Sequence, residues 1–205
     1  MVSVPKFKQH LLEEGVLDPE GVHHECAYGA HGRKLDFDRI PTKAPLFREW
    51  VDVNAAAIRQ RHPKLPQAVL GVADGANRLS RHVAHELGVV ALFTHKVSAR
   101  EVELTTTSRS RLLRLQEGLV VVLKDVCTTG GTAYTAVRSL REAVAREVAA
   151  EGQFTWNRQG ELRAFADAGI PYTAIIDESL PTYTPEQCQT QGYCAQGWQL
   201  IVHAG

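Results

Sequence analysis

Residues 119–132, LVVVLKDVCTTGGT, combine the side chains and spacing best suited to chemistry in this chain. The apolar, β-branched run from Leu119 to Leu123 reads as a buried parallel strand. It ends at Lys124-Asp125 and passes through Thr128-Thr129-Gly130-Gly131-Thr132 into a long helical pattern. Strand, Gly/Thr-rich turn and helix make a phosphate cradle. Glycine lets backbone amides approach an anion, hydroxyls donate to its oxygens, and a helix start supplies free N–H groups with a favourable dipole. Two other phosphate loops are excluded by spacing: there is no Gly-Lys-Ser/Thr ending, since Lys124 precedes the turn, and no G-x-G-x-x-G order.

Other elements must position this turn. Ala68–Ala73 (AVLGVA) predicts a short buried strand, followed by Asp74-Gly75-Ala76-Asn77 and a helix over Arg78–Leu87 closed by Gly88. This second strand–turn–helix unit offers another anion contact, with Asp74 either capping the helix or holding a cation through water. Val89–Thr94 predicts the next strand. From His95 to Leu115 the chain lacks periodicity and carries five bases (Lys96, Arg100, Arg109, Arg111, Arg114) against two acids (Glu101, Glu103). Such a segment suits a mobile flap closing on a polyanion.

Ala133–Ala150 predicts one long helix with Val137, Leu140, Val144 and Val148 on its apolar face. Glu151–Gly160 reads as an insertion, Glu161–Ala168 as a helix, and Tyr172–Ile176 as a strand leading to Asp177-Glu178. Towards the N-terminus, Phe7–Gly15 suits a short helix, Lys34–Asp38 a half-exposed strand, and Phe47–Arg61 a helix with Trp50, Val53, Ala57 and Ile58 on one face. Trp198–Val202 predicts an edge strand. Repeated strand–helix units with motifs at strand C-termini give an α/β fold: a parallel sheet flanked by helices on both faces.

The 205 residues allow one well-buried α/β domain. With 23 basic and 23 acidic residues no global field favours nucleic acid or an anionic membrane. No apolar run approaches the ~18 residues of a membrane span, and the N-terminus lacks a signal core, so a reduced cytoplasm is expected. The cysteines, at positions 26, 127, 188 and 194, lack C-x-x-C spacing. Cys188 and Cys194, with five residues between them, fall outside the C-x₂₋₄-C zinc pattern, and free thiols are expected.

Asp125-Val126-Cys127-Thr128-Thr129-Gly130-Gly131-Thr132 resembles the phosphoribosyl-pyrophosphate (PRPP) motif of type I phosphoribosyltransferases. The segment holding Gly29, His31 and Phe37 is similar to the N-terminal part of orotate phosphoribosyltransferases, where an aromatic residue lies beneath the base pocket. The resemblance implies that type I fold, with residues 67–178 as core and a small hood built from the N-terminal segment (within 1–66) and the tail, 179–205. It also implies a homodimer, PRPP and a nucleobase or nucleotide as ligands, and Mg²⁺ as cofactor.

On that reading Thr128 to Thr132 hold the 5′-phosphate, and Asp125 meets the ribose hydroxyls and the metal. Asp74 to Asn77, with Lys96 and Arg100 of the flap, stabilise departing pyrophosphate, while His31 and Phe37 face the base. The chain departs from the family in three places. Lys124 stands where the first of two adjacent acids is usual, and His95-Lys96 where an Arg-Lys pair is usual. Glu178 takes the place of an arginine that meets the orotate carboxylate. The reaction implied is phosphoribosyl transfer from PRPP to a nitrogenous base with release of pyrophosphate. The alternative is a PRPP- or nucleotide-binding regulator that keeps the cradle without the chemistry.

Overall fold

The structure, a computed structural model, describes residues 3–25, 30–115, 118–144, 148–158 and 162–202. Gly29 and Cys26 lie outside the described residues. Helix α1 (Val4–Glu13) is capped by Ser3. It is followed by β1 (Val22–Glu25), β2 (His31–Gly32), a 3₁₀ helix (Phe37–Thr42) and α2 (Ala44–Arg61). The core then runs β3 (Ala68–Gly71), α3 (Gly75–Leu87), β4 (Val90–Lys96), β5 (Val102–Leu104), α4 (Thr106–Leu112), β6 (Leu119–Cys127) and α5 (Gly131–Glu142). It continues through β7 (Ala149–Asn157), α6 (Arg163–Asp167) and β8 (Tyr172–Asp177); the tail adds β9 (Thr182–Tyr183), α7 (Pro185–Gln191) and β10 (Gln199–Ile201).

The main sheet has the order β5-β4-β3-β6-β7-β8 and is parallel except for the antiparallel β4–β5 edge. Alternation along the central strands explains why both faces are covered. Val69, Val121 and Leu123 pack with Phe7, Trp50, Ile58 and Leu79 from α1, α2 and α3. Leu70, Val120 and Val122 pack with Val137, Leu140 and Phe165 from α5 and α6. Chain direction across the sheet reverses between β3 and β6. That switch point opens a crevice at the strand C-termini, where ligands of open α/β sheets bind. A second sheet, β10-β1-β2-β9, joins the two ends of the chain into the expected hood.

Three sequence expectations are corrected. The helix expected over Ala133–Ala150 stops at Glu142, and the supposed insertion contains β7, paired to β6 and β8. Hydrophobic periodicity concealed this strand because its polar residues are buried. Thr155 accepts from Trp50 Nε1 at 2.8 Å and Asn54 Nδ2 at 3.2 Å, and Glu151 pairs with Arg61 under α2. Lys34–Asp38 is no strand: Leu35 makes one bridge to Leu17, and the chain turns into the 3₁₀ helix.

The flap is a compact hairpin and helix. Thr105 caps α4, Ser108 accepts from Phe93 N at 2.7 Å, and Leu104 N donates to Ser139 Oγ of α5 at 3.0 Å. Within this segment Thr105 and Ser108 serve as a cap and an inward hydrogen-bond partner, while Thr106, Thr107 and Ser110 stay exposed. Among the described residues no helix is long and apolar enough to cross a membrane.

Candidate active site

The switch point gathers the charged residues. Asp125, near the end of β6, accepts from its neighbour Val126 N at 2.7 Å and from Lys124 Nζ at 3.3 Å, both on Oδ1. Gly75 starts α3 directly against it. A Cβ built on Gly75 would fall far inside contact distance of Asp125 Oδ2 and lie 3.5 Å from Asp38 Oδ1. The missing side chain is therefore what lets the β3 turn and the β6 carboxylate share one crevice. The Ala73–Asp74 peptide leading into this turn is cis.

Lys96, at the end of β4, pairs with Asp74 Oδ2 at 2.7 Å, and both side chains are more than half exposed. The hydrogen bond that the ammonium donates to Asp74, aided by the fields of Asp74, Asp38 and Asp125, holds Lys96 above its ordinary pKa against partial desolvation. Asp74 makes no side-chain cap to α3, so the capping role is not what it plays. Ala76 is fully buried and Asn77 donates to Thr94 O at 2.8 Å. Asn77 thus ties α3 to β4, while the Asp74 side chain stays exposed.

The cradle is open where the sequence places it. Thr128 and Thr129 are exposed, and Gly130 sits at φ 79°, a left-handed turn that favours glycine. The first helical bond of α5 runs from Tyr134 N to Gly130 O at 2.8 Å. The amides of Gly131, Thr132 and Ala133 thus precede the helix's own ladder and point to the crevice end of the dipole. Beneath the turn, Cys127 is buried and its thiol is pushed up to about 11, chiefly by desolvation. A neutral thiol is unreactive. Iodoacetamide applied to the folded protein between about pH 7 and 9 is therefore expected to leave the Cys127 peptide unmodified in mass spectra, and to label it after denaturation. Labelling of the native protein at that position would contradict the assignment.

Two proposed base contacts lie elsewhere. Phe37 is 3% exposed in the core, with its ring centroid 5.0 Å from that of Trp50. His31 is buried in the hood, with Nδ1 3.4 Å from Cys194 Sγ. Arg100 sits at the exposed hairpin tip, where its backbone N donates to Ser98 Oγ at 3.3 Å; no side-chain contact joins it to the cradle among the described residues.

Two residues join the candidates. Asp38 contributes a third carboxylate beside Lys96, a role hidden when its segment read as a surface strand. Arg158 follows β7 and donates its backbone N–H to Cys127 O at 2.9 Å, at the crevice end of the sheet. Its guanidinium reaches Arg33 O at 3.3 Å and Leu180 O at 3.1 Å, bridging core and hood. Asn157-Arg158 ends and follows β7, the strand after the cradle helix, whereas Asp177-Glu178 ends and follows β8. Glu178 instead pairs with Lys8 of α1.

No protein-family model matches the chain. An orotate phosphoribosyltransferase of Thermotoga petrophila is 32% identical over 190 residues, 93% of this chain and 90% of that protein. An orotate phosphoribosyltransferase of Heliobacterium modesticaldum is 29% identical over 179 residues, 87% of each. The crystal structure of orotate phosphoribosyltransferase from Aeropyrum pernix matches with a TM-score of 0.63 at 18% identity, covering 94% of this chain and 99% of that one, a likeness of fold. A relative above 30% identity along nine-tenths of both chains and a shared fold lead to one conclusion: the chain belongs to the orotate phosphoribosyltransferase family and transfers the phosphoribosyl group of PRPP to a nitrogenous base.

Proposed function

We propose that the acceptor is orotate, a pyrimidine bearing a carboxylate, and that Arg158 meets that carboxylate. The observation that carries the reading is the position of Arg158, at the end of the strand beside the cradle and at the root of the hood. A planar guanidinium binds a carboxylate through two parallel hydrogen bonds. The Lys8 pairing of Glu178 removes the like-charge repulsion that this residue would otherwise impose.

The remaining residues divide the work by charge. Thr128 to Thr132 and the α5 amides hold the 5′-phosphate, and Asp125 accepts from the ribose hydroxyls. As the bond from the anomeric carbon to pyrophosphate breaks, its electron pair leaves with pyrophosphate and a base nitrogen supplies the new pair. Positive charge then builds on the sugar, where the Asp125 carboxylate stabilises it. Lys96 and the amide of Gly75 receive the leaving group. The exposed Lys96–Asp74 pair is worth little, so Lys96 is recruited at small cost.

Asp74 and Asp125 are hard oxygen donors suited to Mg²⁺ through water, with PRPP phosphates completing the shell; the ion would offset charge on pyrophosphate. The same resemblance supports a cytoplasmic homodimer, for which light scattering should return the mass of two chains.

The test is the absorbance change of orotate with PRPP and Mg²⁺, beside uracil and adenine. Orotate turnover well above the neutral bases is expected. Turnover of uracil or adenine without orotate would overturn the acceptor. Arg158→Met should raise KM for orotate about tenfold, the loss of about 1.5 kcal/mol from one charge-assisted contact, with little change in kcat. An unchanged KM would remove Arg158 from acceptor recognition.

A further inference from the structure

The hood holds a cluster that the transfer reaction does not use. Along β1 the side chains alternate: His24 turns to Asp18 Oδ2 at 3.1 Å, and His23 turns to the opposite face, fully buried. There it meets His31 of β2, Cys188 of α7 and Cys194 of the turn that follows. His23 Nε2 lies 3.3 Å from Cys194 Sγ and 3.7 Å from Cys188 Sγ, and His31 Nδ1 lies 3.4 Å from Cys194 Sγ. All four ligand atoms fall within 4.8 Å of one another.

Ideal tetrahedral coordination with ordinary Zn–S and Zn–N lengths separates ligand atoms by about 3.3–3.8 Å. The three measured separations fall in that range. Further features fit the same reading. Cys194 N donates to Cys188 Sγ at 3.2 Å, the kind of outer-shell bond that steadies a thiolate. Tyr193, itself nearly buried, lies 5.5 Å from the His23 ring and stacks on Trp198 at 4.7 Å, which keeps water off the cluster. The long Cys188–Cys194 spacing is closed by the chain folding back over α7, with Ala195 N bonded to Cys188 O at 2.9 Å. A spacing rule built for adjacent knuckles misses such a site.

We propose that His23, His31, Cys188 and Cys194 bind one Zn²⁺ in a closed structural site. Two imidazoles and two thiolates are the soft, tetrahedral donor set that selects this ion over Mg²⁺. With all four positions filled by protein, the site holds the fold and leaves no place for a reacting water. Binding releases two thiol protons and ties β1 and β2, near the N-terminus, to the C-terminal tail. The site is independent of which base the enzyme accepts.

Elemental analysis of the full chain, purified under reducing conditions without chelator, should find about one zinc per chain. Protein stripped of metal and titrated with Co²⁺ should develop sulfur-to-cobalt charge transfer and the intense ligand-field bands of a tetrahedral site, saturating at one equivalent. Zn²⁺ at 100 times its Kd should raise the melting temperature by roughly 5–10 °C. Cys194→Ser should lose the cobalt spectrum and the shift, whereas Cys127→Ser should keep both. Should Cys194→Ser prove insoluble, the wild-type cobalt spectrum decides by showing or lacking thiolate coordination. Reduced wild-type protein that binds neither ion, metal binding indifferent to Cys194→Ser, or a Cys188–Cys194 disulfide in the native mass would each overturn the proposal.

Discussion

Asp125→Asn is expected to lower kcat/KM for PRPP by about 10²–10³-fold while the protein stays folded. The amide keeps the shape of the carboxylate, and its oxygen still accepts from Val126 N, the 2.7 Å bond that fixes the side chain. What disappears is a negative charge beside a sugar that becomes positive in the transition state. The loss has a second part in this chain. Lys124 Nζ lies 3.3 Å from the carboxylate, and with Asp125 neutralised that ammonium faces the developing cation with its near partner gone. Lys124→Met placed on Asp125→Asn should therefore recover part of the lost rate, an effect that loss of ribose hydrogen bonds alone would not give. Steady-state kinetics over PRPP concentration decide the matter. Asp125→Asn with kcat/KM within a few-fold of wild type would remove Asp125 from the reaction.

On this expectation Lys124 would moderate the site through its pair with Asp125. An acid at that position would deepen the negative field around the sugar, whereas the ion pair observed moderates it. The relatives carry the transferase assignment.

The parts of this architecture legible in the sequence are those where side-chain chemistry and position coincide. β3 and β6 are built on continuous apolar runs because both faces of a parallel sheet are buried, and the turns after them carry glycine because backbone must approach charge there. β7 is not legible, since Glu151, Gln153 and Thr155 are polar yet buried: Glu151 and Thr155 meet partners on α2, and Gln153 Oε1 accepts from Thr173 of β8. With β7 hidden, the strand after the cradle helix reads as Tyr172–Ile176, and Arg158, which the proposed acceptor contact uses, stays out of view. Phe37 and His31 show the opposite case: both are buried, Phe37 against Trp50 in the core and His31 beside Cys194 in the hood, placements that residue type and segment do not announce. Asp38 joins the crevice only through the 3₁₀ turn, which no periodicity announces. The hood's four clustered His and Cys positions are drawn from opposite ends of the chain, so no local spacing unites them.

Gly75→Ala is the sharpest test of the crevice itself, with an expected loss of about 10²-fold in kcat/KM. A methyl at this position conflicts with Asp125 Oδ2, while Asp38 Oδ1 at 3.5 Å can stay in ordinary contact. Either the carboxylate swings away from the ribose, or the start of α3 retreats with Asp74 and its partner Lys96. Both routes move charge by a fraction of an ångström to an ångström relative to the cradle, and a displacement of that size is what positioned chemistry does not tolerate. Overpacking should also cost about 1–3 kcal/mol of stability, measurable in urea. The decisive comparison is a double-mutant cycle. On Asp125→Ala the carboxylate that the methyl strikes is gone, so adding Gly75→Ala should cost little further activity or stability, and the two substitutions should be strongly non-additive. Additive effects would mean that Gly75 acts through the α3 backbone alone, and that the close approach of the β3 turn to Asp125 is not what organises the site.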